Sequence, residues 1–156
     1  LPAKECESEI RQIFFNDTTC NRFDKMAPSD IEQRVGLHIR HSDKKAVVSF
    51  MSVLSELQGE KLFLATDSSL VREKVISMGL DFVSLATILH DGKSSGGVHH
   101  QPLEAEKKRR AFDEAALDMY CLTKTKKFLG QSNSSFSRIV NIWRGTKRKS
   151  QYWDLT

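Results

Sequence analysis

Three short polar segments carry residue types that bind anionic ligands, and each segment directly follows an apolar run. They are His38–Lys44, Thr66–Ser69 and Gly130–Ser135. Arg40 offers a planar guanidinium that can grip phosphate oxygens in bidentate fashion. Ser134 and Ser135 stand at the start of a predicted helix, where backbone N–H groups favour an anion. Together these groups predict a site that holds a diphosphate without a metal ion.

The same residues also have structural explanations. Ser134 and Ser135 suit a helix cap, and Arg40 suits a salt bridge. The joint position of all three after strands favours ligand binding over either explanation. His99 and His100 are adjacent, so they cannot share a helix face, and they indicate a loop rather than a metal site.

Several enzyme classes lack support because their motifs are missing. The sequence contains no G-x-G-x-x-G, no H-E-x-x-H and no C-x-x-C. Gly92-Lys93-Ser94 resembles the end of a P-loop, but Thr87 stands where the first glycine is required. No metal or other cofactor is therefore expected.

Alternating apolar strands and amphipathic helices must position these polar segments. Strands are predicted at Arg34–Ile39, Lys61–Ala65, Asp81–Leu85 and Lys127–Leu129. Helices are predicted at Ala46–Gln58, Leu103–Thr123 and Ser134–Trp143, and a further helix follows the caps Asp67 and Ser68. Val47 in the first helix and Phe112 in the second are predicted to face the core. A helix near Glu5–Phe15, an irregular connection through Pro28 and a mobile loop at His90–Gln101 complete the prediction.

This pattern predicts an α/β fold, a Rossmann-like parallel sheet of four or more strands with helices on both faces. Ligands bind such sheets at the carboxyl ends of the strands, where the three polar segments lie. We divide the chain into an N-terminal helix and connection (1–33), the Rossmann-like domain (34–145) and a basic, aromatic tail (146–156).

Length and charge limit the remaining possibilities. The chain has 156 residues and begins with Leu1, which suggests a fragment or a processed chain. This length corresponds to one domain. The net charge of +4 suits an anionic ligand. The basic runs Lys107–Arg110 and Arg144–Lys149 are interpreted as a solvated helix face and a polar tail. No aromatic residues interleave with them, which disfavours nucleic-acid binding.

Two further features of composition concern the membrane and the cysteines. No apolar run reaches the ~18–20 residues of a membrane span. Three cysteines are too few for a disulfide scaffold, although Cys6 and Cys20 could pair. The odd number of cysteines says little about the compartment of the protein.

At the three polar segments the sequence resembles the GDP-fucose-dependent fucosyltransferases, which include the α1,6-fucosyltransferases, the nodulation enzymes and the protein O-fucosyltransferases. Gly36–Lys44 is close to the family's H-x-R-x-[TS]-D-K, and Leu64–Ser68 is close to its L-A-T-D segment. Asp118 and then Ser134–Arg138, close to an S-S-x-F-S ending, follow in the same order. His41 stands where the α1,6 branch has a second arginine.

The resemblance implies the C-terminal, donor-binding half of a GT-B glycosyltransferase that transfers fucose with inversion to a glycan or protein acceptor. By resemblance Arg40 holds the β-phosphate, and His38 and Asp118 contact the guanine and ribose. Ser134 and Ser135 hold phosphates, Asp67 orients the pocket, and Asp43 and Lys44 lie near the sugar. The general base is either Asp43 or missing from this chain.

One consequence and one alternative accompany this interpretation. The consequence is that this chain would be the donor half alone, because the N-terminal GT-B half has no counterpart in the residues before the first strand. The chain could also be a non-catalytic nucleotide- or anion-binding module that depends on a partner domain.

Overall fold

A computed structural model describes residues 7–10, 13–41, 45–87, 89–90 and 104–155. Its centre is one five-stranded parallel sheet in the order β3-β2-β1-β4-β5. The strands are β1 (Val35–Ile39), β2 (Lys61–Thr66), β3 (Asp81–Val83), β4 (Lys127–Gly130) and β5 (Lys149–Tyr152). The helices are α1 (Asp17–Met26), α2 (Phe50–Glu56), α3 (Ser69–Ser77), α4 (Ala105–Lys124) and α5 (Ser135–Arg144), with a 3₁₀ turn at Ile31–Gln33.

Both faces of the sheet are covered, which confirms the predicted fold class. On one face Val35, Leu37 and Ile39 pack with apolar residues of α2 and α3. On the other face Phe63 and Phe128 pack with residues of α1, α4 and α5. Successive strand residues point to opposite faces, so a nearly continuous apolar strand serves two cores.

The strand order places the candidate site. The chain runs outward from β1 to β3 on one side, then crosses back to β4 on the other side of β1. A crevice forms at such a switch point, outside the carboxyl ends of the strands. Gly36 in β1 lets the end of α4 approach closely, since a Cβ there would lie 2.7 Å from Thr125 Oγ1 and 2.8 Å from Leu122 Cδ2.

Three predictions differ from the structure: the start of α2, the irregular connection before β1 and the burial of Phe112. The Ser49 hydroxyl accepts from the Met51 N–H and starts α2 late, so Val47 lies outside the helix and is 74% exposed. The irregular connection predicted before β1 contains α1, which Asn16 caps by accepting from the Thr19 N–H at 2.9 Å. Phe112, predicted to face the core, is 64% exposed.

The tail also differs from its prediction. Lys149–Tyr152 forms the edge strand β5, although its alternating polar residues resemble no buried strand. Arg144, placed by sequence in a solvated run, is 5% exposed. Its guanidinium donates to Leu122 O at 2.6 Å and to Lys149 O at 2.9 Å. Burial, and then the charge of Arg148, lower the pKa of Arg144 to about 10. This cation therefore joins the end of α4 to β5.

Some predictions fall on undescribed residues. Of the predicted loop at His90–Gln101 the structure describes only His90, which is buried and donates its N–H to Asp67 O at 2.7 Å. Cys6 also lies outside the described residues, so its pairing with Cys20 stays a prediction. No helix within the described ranges is long and apolar enough to cross a membrane.

Candidate functional site

A cavity of about 180 Å³ opens at the carboxyl ends of β1 and β2, beneath α4. Four residues that the sequence singled out line it together: His38, Arg40, Asp67 and Asp118. The remaining lining residues are Ala65, Thr66, Ala86, Lys108, Ala111, Phe112, Glu114, Ala115 and Phe136. Segments far apart in the sequence therefore meet, because parallel strands end at one edge of the sheet.

His38 is a buried, neutral residue that is held by two contacts of its ring and one hydrogen bond of its backbone carbonyl. Its ring stacks on Phe136 with centroids 4.4 Å apart, and its Nδ1 lies 2.6 Å from Ser137 Oγ. Its carbonyl accepts from Trp153 Nε1 at 2.9 Å. Burial, followed by the charge of Arg40, lowers the pKa of His38 to about 3. At neutral pH the ring therefore acts through hydrogen bonds and its flat face.

The tautomer of this imidazole depends on the direction of its hydrogen bond with Ser137. Ser137 Oγ accepts from the Gln131 N–H at 2.9 Å and lies 2.6 Å from Nδ1 of His38. When the serine hydroxyl donates to Nδ1, the ring proton lies on Nε2, and when it accepts from Nδ1–H, Nε2 is an acceptor. In either tautomer Nε2 is the ring nitrogen that His38 offers to a ligand.

Arg40 brings a guanidinium to the cavity from the residue after β1. Its backbone N–H donates to Gln131 Oε1 at 2.8 Å, which fixes the chain as it leaves the sheet. Its Nε lies 3.9 Å from Asp67 Oδ2, and Asp67 Oδ1 accepts from the His41 N–H at 3.2 Å. Asp67 therefore orients both the side chain of Arg40 and the backbone that follows it.

Asp118 places a buried carboxyl in the lining of the cavity. It is 5% exposed, and its Oδ1 has no hydrogen-bond partner among the described residues. Burial and then the negative charge of Glu114 raise the pKa of Asp118 well above its ordinary value, against the positive charge of Arg72. A buried, unsatisfied carboxyl oxygen beside a cavity is suited to accept from a ligand N–H or O–H.

The two predicted serines lie differently. Ser134 is fully buried, and within the described part of the chain its Oγ has neither a capping hydrogen bond nor another partner. Ser135 is exposed in the first turn of α5. Neither lines the cavity. Asp43 and Lys44 lie outside the described residues.

Several supporting residues were not predicted. Gln131 is fully buried and bonds to Arg40, while Asp154 accepts from Ser132 N and Oγ, each at 2.9 Å. Gln131 belongs to the polar segment Gly130–Ser135 but was given no role there, and no sequence signal pointed to Asp154. Burial, a tertiary property, is what identifies both as supporting residues. Lys108, Phe112 and Ala115 precede Asp118 at helical spacing, which is a signal in the sequence.

Chemically, the site combines a cation at its mouth, a neutral imidazole and a buried acid. That set suits a ligand with both anionic groups and hydrogen-bond donors, such as a nucleotide. Within the described ranges, no three His, Cys, Asp or Glu side chains cluster as metal ligands.

Comparison with known proteins identifies the fold. The chain is similar to a crystal structure of POFUT1 in complex with GDP, with TM-score 0.61 and 12% identity over 97% of this chain and 50% of that one. It is also similar to NodZ α-1,6-fucosyltransferase co-crystallised with GDP, with TM-score 0.51 and 19% identity over 80% of this chain and 41% of that one. NodZ soaked with GDP-fucose gives TM-score 0.53 and 18% identity over 85% and 44%.

These likenesses confirm at the level of fold the resemblance carried by the three motifs. The chain spans about half the length, or less, of the structures it matches. No family model matches the chain, and no curated protein matches it in sequence.

Proposed function

We propose that this chain is the donor-binding half of a fucosyltransferase-like GT-B enzyme. It binds GDP-fucose, and the assembled enzyme transfers fucose with inversion to a glycan or protein acceptor. The main support is the convergence of His38, Arg40, Asp67 and Asp118 on one cavity, at the switch point of a sheet similar to those of GDP-bound fucosyltransferases.

In this proposal Arg40 holds the β-phosphate of GDP. Its backbone is fixed by Gln131, and Asp67 limits where its guanidinium points. When the sugar–phosphate bond breaks, negative charge develops on GDP, and a preorganised guanidinium stabilises that charge. The N-terminus of α5, where Ser135 is exposed beside the buried Ser134, adds a second positive end for phosphates that lie outside the cavity. No metal ion is needed in this scheme.

The nucleoside lies deeper, between His38 and Asp118. Guanine carries two adjacent N–H donors on one edge, and an ionised Asp118 can accept both. His38 Nε2 forms a hydrogen bond with the ribose or the base. Burial raises the pKa of Asp118 because the carboxylate has lost its contacts with water. The N–H donors of bound guanine take the place of that water, so binding favours the charged form of the carboxyl.

The sugar end is assigned to the segment after Arg40. Lys44 lies beside the fucose, and Asp43 takes the proton of the acceptor hydroxyl as that oxygen attacks the anomeric carbon from the face opposite GDP. The bond to the phosphate oxygen breaks as the new glycosidic bond forms, which inverts the configuration. The other half of the enzyme supplies most of the acceptor site.

Binding can be tested by thermal unfolding with millimolar GDP, GDP-fucose and UDP-sugars. GDP and GDP-fucose are expected to raise the melting temperature, and Arg40→Ala to abolish that rise. Arg109→Ala, which removes an exposed arginine of α4 that does not line the cavity, is the matched control. If no nucleotide shifts the wild-type melting temperature, the proposal is wrong.

Turnover separates the proposed enzyme from the non-catalytic alternative. GDP release from GDP-fucose, measured with glycan and peptide acceptors, supports transfer when the chain is joined to its other half. GDP binding with no turnover in that complete protein favours a binding module that works through a partner domain.

A further inference from the structure

An exposed aromatic ring stands at the mouth of the nucleotide cavity. Phe112 lies on α4, whose inner face is buried from Leu117 onward, yet its own ring is 64% exposed and lines the cavity. A large apolar ring exposed at a cavity mouth is a surface that a ligand can cover. The core of the protein does not use it.

The residues around Phe112 leave room for a flat group. Ala111 and Ala115 flank it on the same helix and line the cavity with small side chains. The wall across from α4 includes the His38 ring stacked on Phe136, with an angle of 26° between the two planes. The cavity therefore has flat, largely apolar side chains on both the helix and the strand-end sides.

The size and the polar groups of the cavity indicate which part of a nucleotide enters. The cavity volume is about 180 Å³. Pockets that enclose whole ligands start at roughly 300 Å³, so this one is too small to enclose a complete nucleotide. A buried acceptor oxygen of Asp118 lies nearly two helical turns beyond Phe112. The cation Arg40 also lines the cavity, while exposed Lys108 lies one turn before Phe112.

We infer that Phe112 is a stacking platform that covers the face of the purine base whose edge is read by Asp118. This inference rests on the proposed function and adds a specificity residue to the same site. The base enters with one edge first, so that its ring lies at the mouth of the cavity between Phe112 and the wall formed by His38 and Phe136. The phosphates stay outside the cavity, near Arg40. Base–aromatic stacking is worth about 1–3 kcal/mol per base, which is roughly a 5- to 150-fold change in Kd.

Calorimetric titration of four proteins with GDP, ADP and inorganic pyrophosphate tests the inference. The proteins are the wild type, Phe112→Ala, Phe112→Tyr and Ile76→Ala. Ile76 is a matched control, because it is 60% exposed on α3 and lies away from the cavity. Phe112→Ala is expected to weaken GDP binding at least ~10-fold and to leave pyrophosphate binding unchanged. Phe112→Tyr and Ile76→Ala are expected to bind GDP within about 3-fold of wild type, because they keep the platform.

The outcomes separate the two levels of proposal. Wild-type GDP affinity in Phe112→Ala, or an equal loss for GDP and pyrophosphate, overturns the platform and leaves the donor-site proposal standing. No GDP binding by the wild type overturns both. Phe112-dependent binding of ADP in preference to GDP supports the platform and overturns guanine as the base. Unchanged thermal unfolding midpoints verify that each variant is folded.

Discussion

The buried carboxyl of Asp118 makes the stability of the ligand-free protein depend on pH, and Asp118→Asn removes that dependence. Its pKa is raised in the folded state, mainly by burial and then by Glu114. A group with a raised folded pKa contributes its full stability below the unfolded pKa, about 3.9, and that stability is lost as pH rises through the folded pKa. The variant carries no such titration.

The size of the effect follows from proton linkage. In the window between about pH 4 and the folded pKa of Asp118, the wild type loses about 1.4 kcal/mol relative to the variant for each pH unit. For a chain of this length, that corresponds to roughly 3–6 °C in melting temperature per pH unit. Asp118→Asn is therefore expected to melt above the wild type at neutral pH, and the two are expected to converge near pH 4.

Urea unfolding of both proteins at half-unit steps from pH 4.5 to 6.5 measures this difference. The lowered pKa of His38 makes both proteins lose stability below about pH 6.5, but this loss is shared and cancels in the comparison. Asp113→Asn, which removes an exposed acid from the same helix, is the control and is expected to show no such slope. A free-energy difference between wild type and Asp118→Asn that does not change with pH would refute the reasoning.

The same substitution separates stability from binding. If Asp118 accepts the N–H donors of guanine as a carboxylate, wild-type GDP affinity rises by up to one tenfold step per pH unit in the same window, because binding releases a proton. Asp118→Asn loses that slope and binds GDP more weakly. Asp118→Asn is therefore expected to be more stable than the wild type and to bind GDP more weakly. This combination is typical of a buried acid that lowers the stability of the fold but is needed for function.

Two further predictions concern the framework of the site. Gly36→Ala is expected to destabilise the fold by about 1–3 kcal/mol through overpacking, because the new Cβ would press on the Thr125 hydroxyl and the Leu122 side chain; an unchanged urea midpoint would contradict that packing. Ser137→Ala leaves the Gln131 N–H and His38 Nδ1 without their shared partner and is expected to cost about 1–3 kcal/mol. Its GDP affinity, measured calorimetrically, is expected to fall as well, and Ser137→Thr is the variant that should recover part of both losses.

Much of the sheet was predictable because its signals are local. Continuous apolar runs identified β1, β2 and β4 almost to the residue, and helical spacing identified α4 and α5. The edge strand β5 was missed because an edge strand needs no apolar run. α1 was missed because its polar sequence buries only Phe23.

For the candidate site, residue types and order along the chain determined which groups could bind a nucleotide. The sequence alone shows a histidine near the end of a buried strand and an arginine two residues later. It also shows an acid after the next strand and a later acid on a helix. The motif order also predicted the fold resemblance, because parallel strands must deliver their carboxyl ends to one edge.

Only the tertiary structure decided how those groups behave. It buried His38 against Phe136 and Ser137 and left Asp118 with an oxygen that no described residue satisfies, which set the direction of both pKa shifts. It also buried Arg144, which the sequence assigned to a solvated run, and exposed Phe112, which helical spacing assigned to the core. Desolvation and exposure depend on what packs from distant parts of the chain, and no local pattern of residues encodes that.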